Sequence, residues 1–188
     1  MNRYIDFHLL PDPEFPGSFL MNALFAKLHR FLVELNNRER GVSFPLLQQE
    51  RPTLGDCLRV HGAAESLEQL LARNWLAGMG DHVQILGIKT VPDQAQQHCR
   101  VRRVQPKSNV DRLRRRQMRR HGFTLEEAAM RIPDTAEQYV TLPFLQIKSL
   151  STGQQFRLFI DQSKPVPQAV PGEFNSYGLS LTATVPWF

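Results

Sequence analysis

The chain is short of cysteine, lysine and long apolar runs, and each shortage excludes something. Two cysteines, Cys57 and Cys99, in 188 residues cannot build a disulfide-stapled scaffold, and neither belongs to a Cys-x-x-Cys pair. Both are expected to be buried thiols in a reducing compartment. The first residues, Met1-Asn2-Arg3-Tyr4-Ile5-Asp6, lack the basic stretch and apolar run of a secretory leader. The longest uncharged stretch, Phe174 to Phe188, has 15 residues broken by Asn, Ser, Thr and Pro. That is too short and too polar to span a bilayer. A soluble, cytoplasmic protein with no membrane partner is expected. Hydrophobic residues at 41% and charged residues at 22% suit a globular fold with a real core. The length fits one domain or two small ones of about 90 residues each.

Lysine is the informative shortage. Of 23 basic residues only five are Lys (27, 89, 107, 148 and 164). Arginine presents a planar fork that meets phosphate or guanine through two hydrogen bonds, whereas lysine acts as a point charge. The arginines are also concentrated. Between Arg100 and Arg120, nine Arg and one Lys stand against one Asp, a local charge of +9, so the remaining chain carries about −4 of the net +5. A basic patch on a slightly acidic body is the footprint of a polyanion partner. An anionic membrane fits less well, because the basic segment lacks a bulky apolar opposite face.

Residues 4–10 alternate loosely and predict a strand, ended by Pro11-Asp12-Pro13. Ser18 is expected to cap a helix from Phe19 to Leu35, whose buried stripe is Leu20, Leu24, Leu28, Phe31, Leu32 and Leu35. Short strands are expected over 41–44, 56–61 and 83–88, and a helix over 66–72. The resulting order β-α-β-β-α-β matches a ferredoxin-like unit. Residues 91–98 read as a linker, and 99–105 as a strand. Ser108 to Asp111 fits a capping box opening a basic helix through Arg120, and Thr124 opens another ending near Pro133. Residues 142–148 and 155–160 predict strands flanking a Ser151-Thr152-Gly153 turn, with one more strand in the last fifteen residues. The expected class is α+β, with a ferredoxin-like domain over 1–92 and a second, smaller α+β domain over 98–188 carrying the arginine helix, 109–120.

On a helical wheel Arg112, Arg115, Arg116 and Arg119 share one arc, with Val110, Leu113 and Met118 opposite and Arg120 at the margin. Like charges at these spacings repel, and a polyanion would relieve the repulsion. A merely solvated charged face is the plain alternative, though such faces usually mix signs. A helix of this width fits the major groove of B-DNA, and arginines can also reach RNA phosphates near a hairpin end.

Several segments, in order, carry a resemblance. They are Gly41-Val42-Ser43-Phe44-Pro45, Arg103-Val104-Gln105-Pro106-Lys107-Ser108-Asn109, the arginine helix and Ser151-Thr152-Gly153-Gln154 with Phe156-Arg157-Leu158-Phe159-Ile160. Ser176-Tyr177-Gly178-Leu179-Ser180 and Val185-Pro186-Trp187-Phe188 follow. Nearly end to end, they resemble the type I-F CRISPR repeat-processing endoribonucleases of the Csy type. The resemblance implies a ferredoxin-like domain joined to one bearing the arginine helix. It also implies metal-independent cutting at the base of a repeat stem-loop, with no cofactor. The product is expected to stay bound, as a guide RNA, within the type I-F surveillance complex.

It further implies site residues. The family's catalytic histidine corresponds to His29, its tyrosine to Tyr177 and its serine to Ser149, with Ser151 an alternative. By position alone His29 sits at the edge of an apolar stripe, where a histidine is more often structural or exposed. Arg103 and Gln105 match the pair that reads guanine and adenine at the bottom of the stem, and each can make two hydrogen bonds to a base edge. At i and i+2 on a strand they would share a face. Arg115, Arg116, Arg119, Arg120 and His121 match positions that meet the hairpin backbone. Phe156 matches a stacking aromatic, although Phe156, Leu158 and Ile160 alternate as a buried strand would.

RNA brings its own nucleophile, the 2′-hydroxyl. A neutral imidazole can take its proton, a serine can hold the ribose, and a tyrosine hydroxyl can orient the imidazole. No His, Cys, Asp or Glu set shows metal-ligand spacing along the chain, and His98-Cys99 is a bare pair. Trp75 and Trp187 suit packing, and His8, His61 and His82 have no partner visible in the sequence. Two other functions fit some of these features. One is a non-cleaving subunit that caps a guide hairpin; the other is a DNA-binding protein using the basic helix.

Overall fold

The computed structural model describes residues 1–36, 38–48, 50, 52–105, 110–133, 140–149 and 152–188. The chain is α+β and divides into two compact units, 1–104 with 142–188, and 105–141. The boundary expected between 92 and 98 falls inside the first unit.

That unit opens with β1 (Arg3–Leu9), α1 (Gly17–Leu35), β2 (Gly41–Ser43), β3 (Cys57–Gly62), α2 (Ala64–Leu71) and β4 (Val83–Thr90). The four strands form an antiparallel sheet in the order β2-β3-β1-β4, the ferredoxin-like arrangement the element order predicts. Alternation in β1 sends Ile5, Phe7 and Leu9 into one cluster with Leu20, Leu24, Leu28 and Leu32 of α1 and Leu58 and Val60 of β3. The opposite face of the sheet is buried as well. There Arg59 donates to both carboxylate oxygens of Asp6 at 2.6 and 2.9 Å, and its guanidinium lies against the rings of Tyr4 and Phe188, which themselves meet edge to face.

Helix α1 starts differently from the expectation. Pro16, not Ser18, is its N-cap, and no side chain caps it. The Pro16 carbonyl accepts from the N–H groups of Phe19 and Leu20, so the backbone already closes the first turn and Ser18 falls inside the helix. The helix ends at Asn36, at φ 47°, a left-handed position that asparagine tolerates better than most residues.

The rest of this unit comprises β5 (Gln97–Cys99), β6 (Val101–Val104), β7 (Phe144–Lys148), β8 (Gln155–Gln162) and β9 (Val185–Trp187). Strand β5 pairs with β9, and β6-β8-β7 form a separate sheet. The single strand expected over 99–105 is therefore broken at Arg100, whose N–H donates to Ser163 Oγ as the chain changes partner from β9 to β8. Leu145, Ile147, Leu158 and Ile160 join the main cluster. The β7–β8 turn closes by Ser149 N–H to Gln154 and Gly153 N–H to Ser149, with Gly153 at φ 68°. Ser151 lies outside the described residues.

The second unit holds α3 (Val110–His121) and α4 (Leu125–Arg131). Thr124 starts α4 as expected, and with Glu127 it forms a full capping box. The one expected at Ser108 lies outside the described residues. Arg114 donates through Nε and Nη2 to the Ile132 carbonyl, at 2.9 and 2.7 Å, tying α3 to the end of α4. Among the described residues no helix is long and apolar enough to cross a membrane.

Candidate active site

His29 stands on α1 one turn after Phe25, half-buried at the rim of the core. Its Nδ1 lies 2.8 Å from the Ser176 carbonyl oxygen. A carbonyl only accepts, so Nδ1 carries the hydrogen, and the neutral ring keeps its lone pair on Nε2. The Tyr177 ring lies parallel to the imidazole, with centroids 3.9 Å apart and planes at 8°. Tyr177 is also parallel to Phe25 at 6.4 Å, and Phe25 stacks on Phe44. The imidazole thus rests on an aromatic wall that runs into the core. Burial holds its pKa below the usual histidine value; the Ser176 carbonyl opposes that shift and the Arg30 charge adds to it. The ring is therefore a neutral base near pH 7.

The segment that supplies both contacts runs beside β2. Phe174 N–H donates to the Arg38 carbonyl, and Val42 N–H to the Gly178 carbonyl, each at 2.9 Å. Gly178 has φ 69°, and a Cβ there would lie 2.6 Å from Val42 Cγ1, so both conformation and space require glycine. The expected hydroxyl-to-imidazole hydrogen bond is replaced by a different arrangement. Tyr177 meets His29 by its ring face, and a backbone carbonyl orients the imidazole. Sequence reasoning could not see Ser176 in this role, because its contribution is a main-chain atom.

Ser149 is half-buried at the end of β7, and its Oγ accepts the Thr152 N–H at 3.2 Å. Strand β7 is tied to α1 where Gln146 N–H donates to Asn22 Oδ1 at 2.9 Å. Asn22 and His29 are seven residues apart and so share a helix face. In the neighbouring strands the Arg103 guanidinium lies 5.4 Å from the centroid of Phe156. Phe156 packs partly into the core, so its alternation and its contact with arginine are both real. Gln105 is exposed but lies beyond the end of β6, in the second unit. The strand alternation expected to align it with Arg103 stops at Val104.

In the second unit Arg112, Arg115, Arg116, Arg119 and Arg120 are exposed and line one open groove of about 670 Å³. Val110 is buried, and Leu113 and Met118 are half-buried, as the wheel requires. His121 is exposed and stacks on Phe123, centroids 5.4 Å apart.

One grouping was invisible to spacing. Donor atoms of Asp6, His8 and Cys57 lie within 4.8 Å of one another, because β1 and β3 place them on the same sheet face. Both Asp6 oxygens are already bound by Arg59. Burial, chiefly, pushes the Cys57 thiol up to about 12. A guanidinium beside a protonated thiol is a poor setting for a cation.

Comparison with known proteins identifies the family. A family model described as "CRISPR-associated protein (Cas_Csy4)" matches residues 4–188. A protein of Pseudomonas aeruginosa (strain UCBPP-PA14) named "CRISPR-associated endonuclease Cas6/Csy4" is 50% identical over 188 residues, all of both chains. One of Escherichia coli (strain UTI89 / UPEC) with the same name is 45% identical, again over the whole of both. With residues 4–188 matched by the family model and all 188 residues matched by both relatives, the chain belongs to the Csy4 family of CRISPR-associated proteins.

Proposed function

We propose that this protein is an endoribonuclease that binds the stem-loop of CRISPR repeat RNA, cuts at its 3′ base and keeps the product. The observation that carries the reading is the His29–Ser176 hydrogen bond, which leaves a basic Nε2 on a neutral imidazole. Nε2 takes the proton of the 2′-hydroxyl at the cut site. The resulting alkoxide attacks the adjacent phosphorus in line, and the bond from phosphorus to the 5′-oxygen breaks. The products are a 2′,3′-cyclic phosphate, or the 3′-phosphate formed by its hydrolysis, and a 5′-hydroxyl. The departing 5′-oxygen takes up the proton from the imidazolium, directly or relayed through a water, which returns His29 to its starting state.

The other groups position the substrate. Ser149 holds the ribose so that the 2′-oxygen and the leaving oxygen stay aligned, an effect of orientation. Tyr177 confines the imidazole plane by stacking. Arg103 and Gln105 read base edges at the bottom of the stem, and Phe156 provides a stacking face there. Arg112, Arg115, Arg116, Arg119, Arg120 and His121 meet phosphates of the hairpin, where each contact releases counterions. The bound product then places the protein on the hairpin end of the guide, as a subunit of the type I-F surveillance complex. Every group in the step belongs to the chain or to the RNA, so the reaction needs no metal or cofactor.

The test is incubation of the protein with repeat-hairpin RNA in EDTA, beside a substrate carrying one 2′-deoxy nucleotide just upstream of the cut. Cleavage of the first with binding but no cleavage of the second is the expected result. Binding of both without cleavage would leave a subunit that caps the guide hairpin. Tighter binding of duplex DNA than of hairpin RNA would instead favour a DNA-binding function.

A further inference from the structure

We infer that Asn175 is a positioning residue for the His29 base, holding the one peptide plane that decides which imidazole nitrogen carries the proton. This rests on the proposed role of His29. The Asn175 side-chain oxygen Oδ1 accepts the Tyr177 N–H at 2.8 Å and the Leu179 N–H at 3.2 Å. Its backbone closes the same turn: the Asn175 carbonyl accepts the Gly178 N–H at 2.8 Å, and its N–H donates to the Leu179 carbonyl at 2.9 Å. Asparagine at the first position and glycine at the fourth are favoured residues for such a turn.

The decisive point is covalent. The Tyr177 N–H and the Ser176 carbonyl are opposite ends of one planar peptide unit. Asn175 Oδ1 grips the nitrogen end, and His29 Nδ1 donates to the oxygen end at 2.8 Å. Asn175 and His29 are therefore linked through a single rigid plate, and a rotation of that plate breaks both bonds together. Such a chain of hydrogen bonds also polarises along its length, strengthening the Nδ1–H donation. Without Oδ1 the plate can turn, the carbonyl leaves Nδ1, and the imidazole can carry its proton on Nε2. In that tautomer the nitrogen that should accept the 2′-hydroxyl proton has no lone pair. The same loss shifts the Tyr177 ring that stacks on the imidazole.

The experiment uses the full chain with ¹⁵N-labelled histidine. Tautomer by NMR, single-turnover cleavage of repeat-hairpin RNA across pH, and hairpin affinity are measured for wild type, Asn175→Ala and Asn175→Asp. Wild type should show the His29 proton on Nδ1. Asn175→Ala should show a mixture of tautomers and a cleavage rate lower by about 10- to 100-fold, the cost of a small misplacement, with unchanged affinity. Asn175→Asp keeps the acceptor, so it should restore the tautomer and most of the rate. Its added negative charge should move the acid limb of the pH profile upward, because a nearby anion favours the imidazolium. The inference is overturned by wild-type tautomer and rate in Asn175→Ala, or by Asn175→Asp failing as badly as alanine. The aspartate arm decides the matter even if the alanine variant does not fold. His29→Ala is the control: wild-type cleavage there would remove the base assignment, while the tautomer data would still decide the Asn175 link.

Discussion

The two units hold their functional side chains in opposite ways. In the first, His29 is bonded at Nδ1, stacked on Tyr177 and set at the rim of a continuous core. In the second, five arginines stand exposed along a helix of 12 residues, and only Val110 and Ala128 are buried hydrophobics among its described residues. The contrast suits the two tasks proposed for these units. Taking a proton from one hydroxyl requires a lone pair on one nitrogen in one direction, and only packed surroundings impose that. Gripping a phosphate backbone requires density of charge, and long arginine side chains adjust to it without a rigid seat.

The largest test of this division is His29→Ala. Cleavage should fall by about 10²- to 10⁴-fold, the usual worth of a positioned base, with hairpin binding nearly intact. Single-turnover assays beside filter binding read both, and a parallel loss of binding would break the division. Next comes Asp6→Ala, which leaves the buried Arg59 guanidinium against two rings without its carboxylate. It should cost about 3–5 kcal/mol in urea unfolding, with no change in the salt dependence of RNA binding.

Acid should also act on the first unit. Burial first, then the Arg59 charge, lowers the His61 pKa to about 3. Between the ordinary histidine value and about pH 3 the unfolded chain binds a proton at this site that the native state refuses. Stability from this residue is thus fully present above about pH 6.5 and falls with acidification by up to about 1.4 kcal/mol per pH unit. His61→Asn should flatten that slope in urea melts taken near pH 7 and pH 5. Cleavage behaves differently: because the His29 pKa is lowered, the rate should hold through neutrality and fall only once the pH passes below the ordinary histidine value. The smallest effect belongs to the second unit. Arg119→Ala should leave the rate at saturating RNA untouched and reduce the log–log salt slope of binding by about 0.9. An unchanged slope would remove Arg119 from the phosphate contacts.

Periodic features were legible in the sequence. The stripe of α1, the β-α-β-β-α-β order and the arginine face all follow from spacings of 3.6 and 2 residues, which burial imposes on the letters themselves. Features made by main-chain atoms or by distant partners were not. Pro16 caps α1 through its carbonyl, and Ser176 orients His29 through another; neither atom depends on residue type. The break at Arg100 reflects a change of strand partner, which no local pattern records. Asp6, His8 and Cys57 meet only because β1 and β3 are neighbours. His29 itself stood out through the likeness of the whole chain to a family, since its local setting is an ordinary helix edge.

The bond between His29 and Ser176 spans 147 residues, and this separation sets a clock on the enzyme. A chain made at about 5–20 residues per second completes the histidine roughly 7 to 30 s before the carbonyl that orients it. During that interval α1 can form and the arginine helix can be made and meet RNA, yet the imidazole has no fixed tautomer. On the roles proposed for His29 and the arginine helix, capture of a transcript would precede the ability to cut it.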